Sequence, residues 1–171
     1  MYIVETERGL SYTQVAGLMF ASAFLCSLLQ PVFGRLADQV RNHWFMGAGI
    51  ALAGLALSTV AFLDDYWSIF VAVAIMGVGS SMFHPEAARL VNLLSSHHRG
   101  EGMAIFSVGG NAGFAVGPLL AVSMLMLFGL HGLLIFAVLG VGMGAATLMN
   151  LPKIIQSIGS ARSSLMCRRF S

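Results

Sequence analysis

Long apolar stretches separated by short polar segments run along the whole chain. Five of these stretches are nearly continuous, and each supplies the roughly 20 helical residues that cross a hydrocarbon core of about 30 Å. They are Tyr12 to Phe33, Trp44 to Leu63, Trp67 to about Arg89, Met103 to Phe128, and His131 to Leu151. The period-two alternation of a membrane barrel is absent from the sequence. The pattern therefore predicts an all-α, polytopic membrane bundle with about five transmembrane helices.

The amino-acid composition also favours a lipid environment. Of the 171 residues, 57% are hydrophobic and only 9% are charged, against roughly 25% charged in an ordinary soluble domain. These charges are too few to give every helix of a soluble bundle a polar face. The formal net charge of +2 comes without a basic cluster. The composition therefore predicts the lipid bilayer as a partner and no nucleic acid.

The basic residues indicate how the chain is oriented in the membrane. If the amino terminus lies outside, eight of the nine Lys and Arg residues fall on or close to the cytoplasmic side. They are Arg35, Arg41, Arg89, Arg99, Lys153, Arg162, Arg168 and Arg169. Because basic residues collect on the cytoplasmic side of membrane proteins, we expect an external amino terminus and a cytoplasmic carboxyl terminus.

This topology divides the chain into three parts. Residues 1–11 form an external arm, residues 12–151 a five-helix transmembrane domain, and residues 152–171 a polar cytoplasmic tail. Pro152 is expected to end the last helix, because proline lacks the amide hydrogen that a helix interior needs. The polar, weakly basic composition of the tail predicts disorder.

The short segment from Gly34 to His43 lies between the first two apolar stretches. Gly34 is expected to permit a tight turn out of the helix. Asp38, four residues later, can face a helix end or an arginine. The alternative interpretation is a simple positive-inside anchor, although an anchor needs no aspartate.

The fourth apolar stretch carries a regular row of glycines. Gly109, Gly113 and Gly117 recur every four residues, and Pro118 follows them. In lipid such a row lets helix backbones approach closely. It predicts either a fixed packing face or a packing face that also slides. Asn111, the most polar residue expected well inside this stretch, can contact a small molecule or hydrogen-bond a neighbouring helix.

A cluster of ionisable residues ends the third apolar stretch. Glu86 lies about 28 Å along the helix from Trp67 at a rise of 1.5 Å per residue, near the cytoplasmic boundary. Glu86 and Arg89 are three residues apart and can pair on one helix face. Because charges inside a bilayer are costly, two interpretations stay open for His84, Glu86 and Arg89. The first is an interfacial salt bridge, and the second is proton or substrate handling.

Taken together, these motifs resemble those of the major facilitator superfamily of transporters. The pattern Gly-x-Leu-Ala-Asp-x-x-Arg from Gly34 to Arg41 is similar to the signature that follows the second helix in that family. The segment from Gly109 to Pro118 resembles the glycine-rich fifth-helix motif of its antiporters. The segment from Phe83 to Arg89, with Arg99 to Met103 and Phe106 to Asn111, resembles the fosmidomycin-resistance efflux branch.

The resemblance implies a function and roles for several residues. Gly34, Asp38 and Arg41 become residues of a cytoplasmic gate, with Gly34 as its turn. The implied activity is proton-coupled efflux of a small drug-like or phosphonate compound across the plasma membrane, the inner membrane of a bacterium. The proton gradient supplies the driving force, and no cofactor is expected.

The family plan also makes the chain look incomplete. Facilitator transporters are built from two six-helix halves, and the five predicted helices correspond to helices two through six. We therefore expect a fragment, part of the N-terminal half of a major-facilitator fold. Its partners would be the missing half or other membrane helices, and its own transport activity is an open question.

The residues also bear on two other classes of function. A non-transporting helical membrane protein that associates through its glycine-rich helix faces is the alternative to a transporter. An enzyme is not predicted, because His84, Glu86 and His97 lack metal-ligand spacing on one helix face and Ser107 has no base nearby in sequence. For the same reason no metal site is expected.

Overall fold

The structure is a computed structural model that describes residues 9–40, 44–95 and 98–169. Five α-helices account for nearly all of them, and no strand occurs within these ranges. They are α1 (Tyr12–Val40), α2 (Trp44–Thr59), α3 (Tyr66–Leu94), α4 (Arg99–Phe128) and α5 (Leu134–Arg169). Two short 3₁₀ turns, Val60–Phe62 and Gly129–Leu133, follow α2 and precede α5.

The helices are long and apolar enough to cross a bilayer. Four continuous helical stretches of the described chain meet this condition, and the last of them, Arg99–Lys153, is 55 residues long. The 3₁₀ turn at Gly129–Leu133 divides that stretch between α4 and α5. In lipid every backbone amide must be satisfied within its own segment, which favours helices throughout. The predicted fold class, a helical membrane bundle, is confirmed.

Side-chain caps define where two of the helices begin. The Ser11 hydroxyl accepts a hydrogen bond from the Gln14 amide at 3.3 Å, and the Gln14 side chain accepts one from the Ser11 amide at 2.9 Å. This reciprocal pair is a capping box. At the start of α3, Asp65 Oδ2 accepts from the amides of Trp67 and Ser68 at 3.0 and 3.1 Å. Both helices therefore begin at residues whose side chains replace missing backbone partners.

Four helices pack side by side in the order α1, α3, α2, α5. α1 and α3 run parallel, since Gly77 meets Ser22 near their middle and Gly34 meets Pro85 further along both. α2 runs antiparallel to α3, and α5 runs antiparallel to α2. α4 makes a smaller contact with α3, and none of its residues is buried. The alternating directions agree with a chain that crosses the membrane with each successive helix.

Glycines make the closest helix contacts in this row. A Cβ atom added to Gly47 of α2 would lie 2.7 Å from the Gly144 carbonyl oxygen of α5, and one on Gly144 would lie 2.6 Å from the Gly47 oxygen. Nearer to the end of α2 and the start of α5, a Cβ added to Gly140 would lie 2.8 Å from the Gly54 Cα. Two backbones this close leave no room for a side chain. These four glycines define the α2–α5 seam, and close backbone packing is what drives association in lipid.

Two expectations about helix ends are wrong. α1 does not turn at Gly34 but continues to Val40, so Gly34 is an interior residue, and a Cβ added to it would lie 3.6 Å from the Pro85 Cβ. The last helix likewise continues through Pro152 to Arg169. In both places the helix extends beyond the end of the apolar run. A helix can continue past the apolar run, because its backbone hydrogen bonds are internal.

Candidate functional site

A cavity of about 540 Å³ lies between α1, α3 and α4. Most of its wall is aliphatic or aromatic, with Leu18, Ile69 and Phe114 contributed by the three helices in turn. Pro118 of α4, the residue that ends the glycine row, also lines it. We call this space the α1–α3–α4 cavity. Its volume is within the range of about 300–1,000 Å³ that small-molecule sites occupy.

Four polar side chains lie on the wall of the α1–α3–α4 cavity. Ser22 and Cys26 come from α1, and Ser80 and His84 come from α3. Each pair is spaced four residues apart, so its members share one helix face. The two faces meet because α1 and α3 pack closely where Gly77 contacts Ser22. We call these four residues the polar row, and they give an otherwise apolar cavity a hydrogen-bonding wall.

Within the polar row, two side chains have hydrogen-bond partners among the described residues. Ser80 donates to the Met76 carbonyl at 3.1 Å, and the Cys26 sulfur accepts from Gln30 Nε2 at 3.3 Å. The His84 ring contacts the Phe83 ring with centroids 5.5 Å apart. Among the described residues it makes no hydrogen bond. His84 is therefore the member of the row with both ring nitrogens available to a small molecule.

Glu86 lies on a different face of α3 from His84. Its side chain is 1% exposed and follows Met82 by four residues, on the face where Met82 packs with Ala37 and Phe45. Arg89 Nη2 donates to Glu86 Oε1 at 2.8 Å, and Arg89 Nε donates to Oε2 at 3.3 Å. The side chain of Glu86 is not part of the cavity wall. The predicted pairing is therefore present, while His84 and Glu86 are separated.

The proposed gate residues gather at the same end of the bundle as this ion pair. Asp38 is exposed near the end of α1 and exerts a Coulombic attraction on the Arg89 guanidinium. Gly34 lies one turn earlier, against Pro85 of α3. Arg41 lies outside the described residues. The structure thus places Asp38 at the end of the bundle where the Glu86–Arg89 pair lies, near enough to act electrostatically on Arg89, a proximity that the sequence did not indicate.

The glycine row of α4 is not a packing face within the described chain. A Cβ added to Gly109, Gly113 or Gly117 would meet nothing within 4 Å. Phe114, between them, is 80% exposed, although part of its side chain lines the cavity. Asn111 is also exposed and does not line the α1–α3–α4 cavity. The packing glycines are instead those of the α2–α5 seam and of the α1–α3 and α2–α3 contacts.

Sequence reasoning missed three members of the polar row, namely Ser22, Cys26 and Ser80. Their four-residue spacing, within α1 and from Ser80 to His84 in α3, is the signal that was available. Small polar residues are common in membrane helices because they also bond to the preceding turn. Only the pairing of α1 with α3 shows that these two faces line one cavity.

Curated proteins with similar sequences are membrane transporters or resistance proteins. The fosmidomycin resistance protein of Escherichia coli (strain K12) is 32% identical over 127 residues, which cover 74% of this chain and 31% of that protein. The uncharacterized MFS-type transporter YfnC of Bacillus subtilis (strain 168) is 31% identical over 130 residues, covering 76% and 32%. The probable L-galactonate transporter of E. coli (strain K12) is 26% identical over 141 residues, covering 81% and 31%.

The extent of these matches bounds what they show. The chain spans about a third of the length of the curated relatives it matches. No solved structure shows significant similarity to it. The family match is much more extensive, since residues 1–158 fit the Major Facilitator Superfamily. With its long apolar helices and this match over most of its length, the protein is an integral membrane protein, and the chain belongs to the major facilitator superfamily.

Proposed function

We propose that this membrane protein acts in proton-coupled efflux of a small drug-like or phosphonate compound. The α1–α3–α4 cavity carries the proposal, because it is large enough for a small molecule and has a histidine on its wall. Similarity to the fosmidomycin resistance protein supports efflux as the direction of transport. Family membership makes a transporter, not an enzyme, the expected class of activity.

His84 is the proposed proton-handling residue of the cavity. Histidine is the side chain that most readily exchanges a proton at physiological pH. Glu86 and Arg89 hold opposite charges one turn away and outside the cavity. A proton gained by His84 would change the charge that a bound compound meets without breaking this ion pair. We assign His84 to coupling and Glu86 and Arg89 to holding the nearby helix ends.

Asp38, Arg41 and Gly34 are the proposed gate residues. Asp38 of α1 attracts Arg89 of α3 electrostatically. Gly34 lies where α1 comes close to Pro85 of α3, and not in the turn that its motif implied. Movement of α1 relative to α3 would change both of these approaches. We therefore place the gate at this end of the bundle.

We further propose that this end of the bundle faces the cytoplasm. Arg35 and Arg89 lie in the later parts of α1 and α3, Arg99 begins α4, and Lys153 lies in the later part of α5. The alternating helix directions bring all four to one side, as the positive-inside rule requires of a cytoplasmic face. Residues 1–11 would then be external and residues 152–171 cytoplasmic, with the protein in the bacterial inner membrane.

Transport in inside-out membrane vesicles tests the proposal. Vesicles from bacteria that produce the chain would be energised to an acidic interior, and uptake of fosmidomycin and of the apolar amine N-phenyl-1-naphthylamine would be measured. We expect gradient-dependent uptake of at least one compound, abolished by a protonophore and by His84→Ala. His131→Ala, in the 3₁₀ turn before α5, should transport normally. Uptake equal to that of vesicles without the protein would refute the proposal.

A second candidate function is association with other membrane helices without transport. It is favoured by the open glycine row of α4, where Gly109, Gly113 and Gly117 have no neighbour within 4 Å of an added Cβ. Chemical crosslinking in membranes tests it with Gly113→Leu, which should abolish association, and Gly142→Leu, an equally open position on α5, which should not. Association that survives Gly113→Leu would contradict this candidate.

A further inference from the structure

The lining of the α1–α3–α4 cavity suits one of the two proposed substrate classes, the drug-like compounds, and does not suit the other, the phosphonates. Resting on the proposed transport function, we propose that it binds uncharged, largely apolar compounds with one or two hydrogen-bonding groups, and not phosphonate anions. This differs from the compound in the name of the similar fosmidomycin resistance protein. Three properties of the described chain support this proposal. They are the charge of the cavity wall, the hydrogen-bond partners of the nearby Arg89, and the hydrogen-bonding groups of the polar row.

The first property is the absence of fixed charge on the wall. None of the described residues that line the cavity is Asp, Glu, Lys or Arg. The wall is built from side chains such as Leu18, Ile69 and Val73, with the polar row as its hydrogen-bonding part. A phosphonate carries up to two negative charges near neutral pH, and a charge buried without a partner is strongly disfavoured. The described wall of the cavity therefore offers a phosphonate no permanent counter-charge, and a protonated His84 would balance only one of its two negative charges.

The second property concerns the cation that lies nearest along α3. Arg89 follows His84 by five residues but directs its guanidinium to Glu86, with two hydrogen bonds at 2.8 and 3.3 Å. Asp38 attracts the same group from α1. To bind a phosphonate in the cavity, Arg89 would have to leave a carboxylate that is 1% exposed. Breaking a buried pair in this way is costly, so Arg89 is not available to the cavity.

The third property indicates which kind of ligand the cavity would bind. Ser22 and Cys26 on α1 face the same space as Ser80 and His84 on α3. Ser80 and Cys26 already have partners within their own helices. This leaves the Ser22 hydroxyl and the His84 ring as the hydrogen-bonding groups of the row for which the described residues provide no partner, on a wall that is otherwise mostly apolar. A ligand that matches them has one or two polar groups and an otherwise apolar body.

Protection of Cys26 from alkylation measures binding directly. The sequence contains two cysteines, so Cys167→Ser leaves Cys26 as the thiol that N-ethylmaleimide can label in the purified, detergent-solubilised chain. Labelling would be followed by mass spectrometry with N-phenyl-1-naphthylamine or fosmidomycin at matched concentrations. At ten times its dissociation constant, a bound compound should slow labelling about tenfold. We expect this protection from the naphthylamine and unchanged labelling with fosmidomycin.

Two alanines of α4 provide matched variants. Ala121 lines the cavity and Ala112 does not, so Ala121→Trp should fill the space and remove protection, whereas Ala112→Trp should keep it. His84→Phe should weaken binding of the naphthylamine by removing its hydrogen bond. Protection by fosmidomycin equal to or stronger than that by the naphthylamine would overturn the inference. So would protection by neither compound, or protection that persists in Ala121→Trp.

The binding assay and the transport assay test different claims, so either one can give a negative result without the other. Cys26 protection requires no proton gradient and no movement of the helices. Loss of vesicle transport with intact protection would refute the proposed function and leave the ligand class standing. Gradient-driven transport of fosmidomycin, with protection by fosmidomycin, would refute the ligand class and support the proposed function.

Discussion

Removal of the Arg89 guanidinium should strongly destabilise the bundle. Glu86 is 1% exposed, and Arg89 satisfies both of its carboxylate oxygens. Removing one partner of a buried ion pair costs about 3–5 kcal/mol, because the other charge is left buried without compensation. The Arg89 side chain is 37% exposed, which favours the lower end. We expect Arg89→Met to lower the free energy of unfolding by about 3 kcal/mol, roughly a hundredfold in the unfolding equilibrium.

The double variant separates the ion pair from simple loss of packing. Glu86→Met/Arg89→Met removes both charges and keeps the side-chain volumes similar, so it should recover about 2 kcal/mol of the loss. Unfolding would be followed by tryptophan fluorescence of Trp44 and Trp67 during titration of mixed micelles with sodium dodecyl sulfate. Arg35→Met, an exposed arginine at the same end of the bundle, should change the free energy of unfolding by less than about 0.5 kcal/mol.

Either of two results would contradict a stabilising role for the Glu86–Arg89 pair. A cost below about 1 kcal/mol for Arg89→Met would show that Glu86 is not buried as a charged group. A double variant as unstable as the single variant would show that packing, and not the charge pair, accounts for the loss.

Two further predictions concern other contacts and use the same titration or hydrogen exchange. Gly140→Leu should lower the free energy of unfolding by about 1–3 kcal/mol, because an added Cβ would lie 2.8 Å from the Gly54 Cα. Gly142→Leu should leave the free energy of unfolding unchanged, because an added Cβ at Gly142 meets nothing within 4 Å. Equal unfolding midpoints for the two variants would contradict the α2–α5 seam. Asp65→Ala should cost about 1 kcal/mol and speed amide exchange at the start of α3 about fivefold, because two amides lose their acceptor. Unchanged exchange would refute the cap.

The sequence predicted the elements of this fold better than it predicted their contacts. Apolar runs revealed five helices because lipid forces each run to satisfy its own backbone. The Glu86–Arg89 pair was predictable because both residues belong to one helix and their spacing brings them together. Both successes depend on local geometry alone.

The sequence was less informative where a contact joins two helices. Gly34 is not the end of α1 but lies where α1 comes close to Pro85 of α3. The regular glycines of α4 meet no other helix among the described residues, so a packing or sliding face there stays a prediction, whereas the less regular glycines of α2 and α5 form a tight contact. The sequence of one apolar segment does not specify which other helix it will pack against. The α1–α3–α4 cavity was missed for the same reason, since no single helix contains it.

The α2–α5 seam joins segments that leave the ribosome at very different times. Translation proceeds from the amino terminus, so α2 is already in the membrane while α3 and α4 are still being made. Until Gly140 and Gly144 have been made, the face of α2 that carries Gly47 and Gly54 has no partner helix and is exposed to lipid. If synthesis stops anywhere before Leu134, that face stays without its partner, and such a chain should be degraded readily by the proteases that remove unfinished membrane proteins.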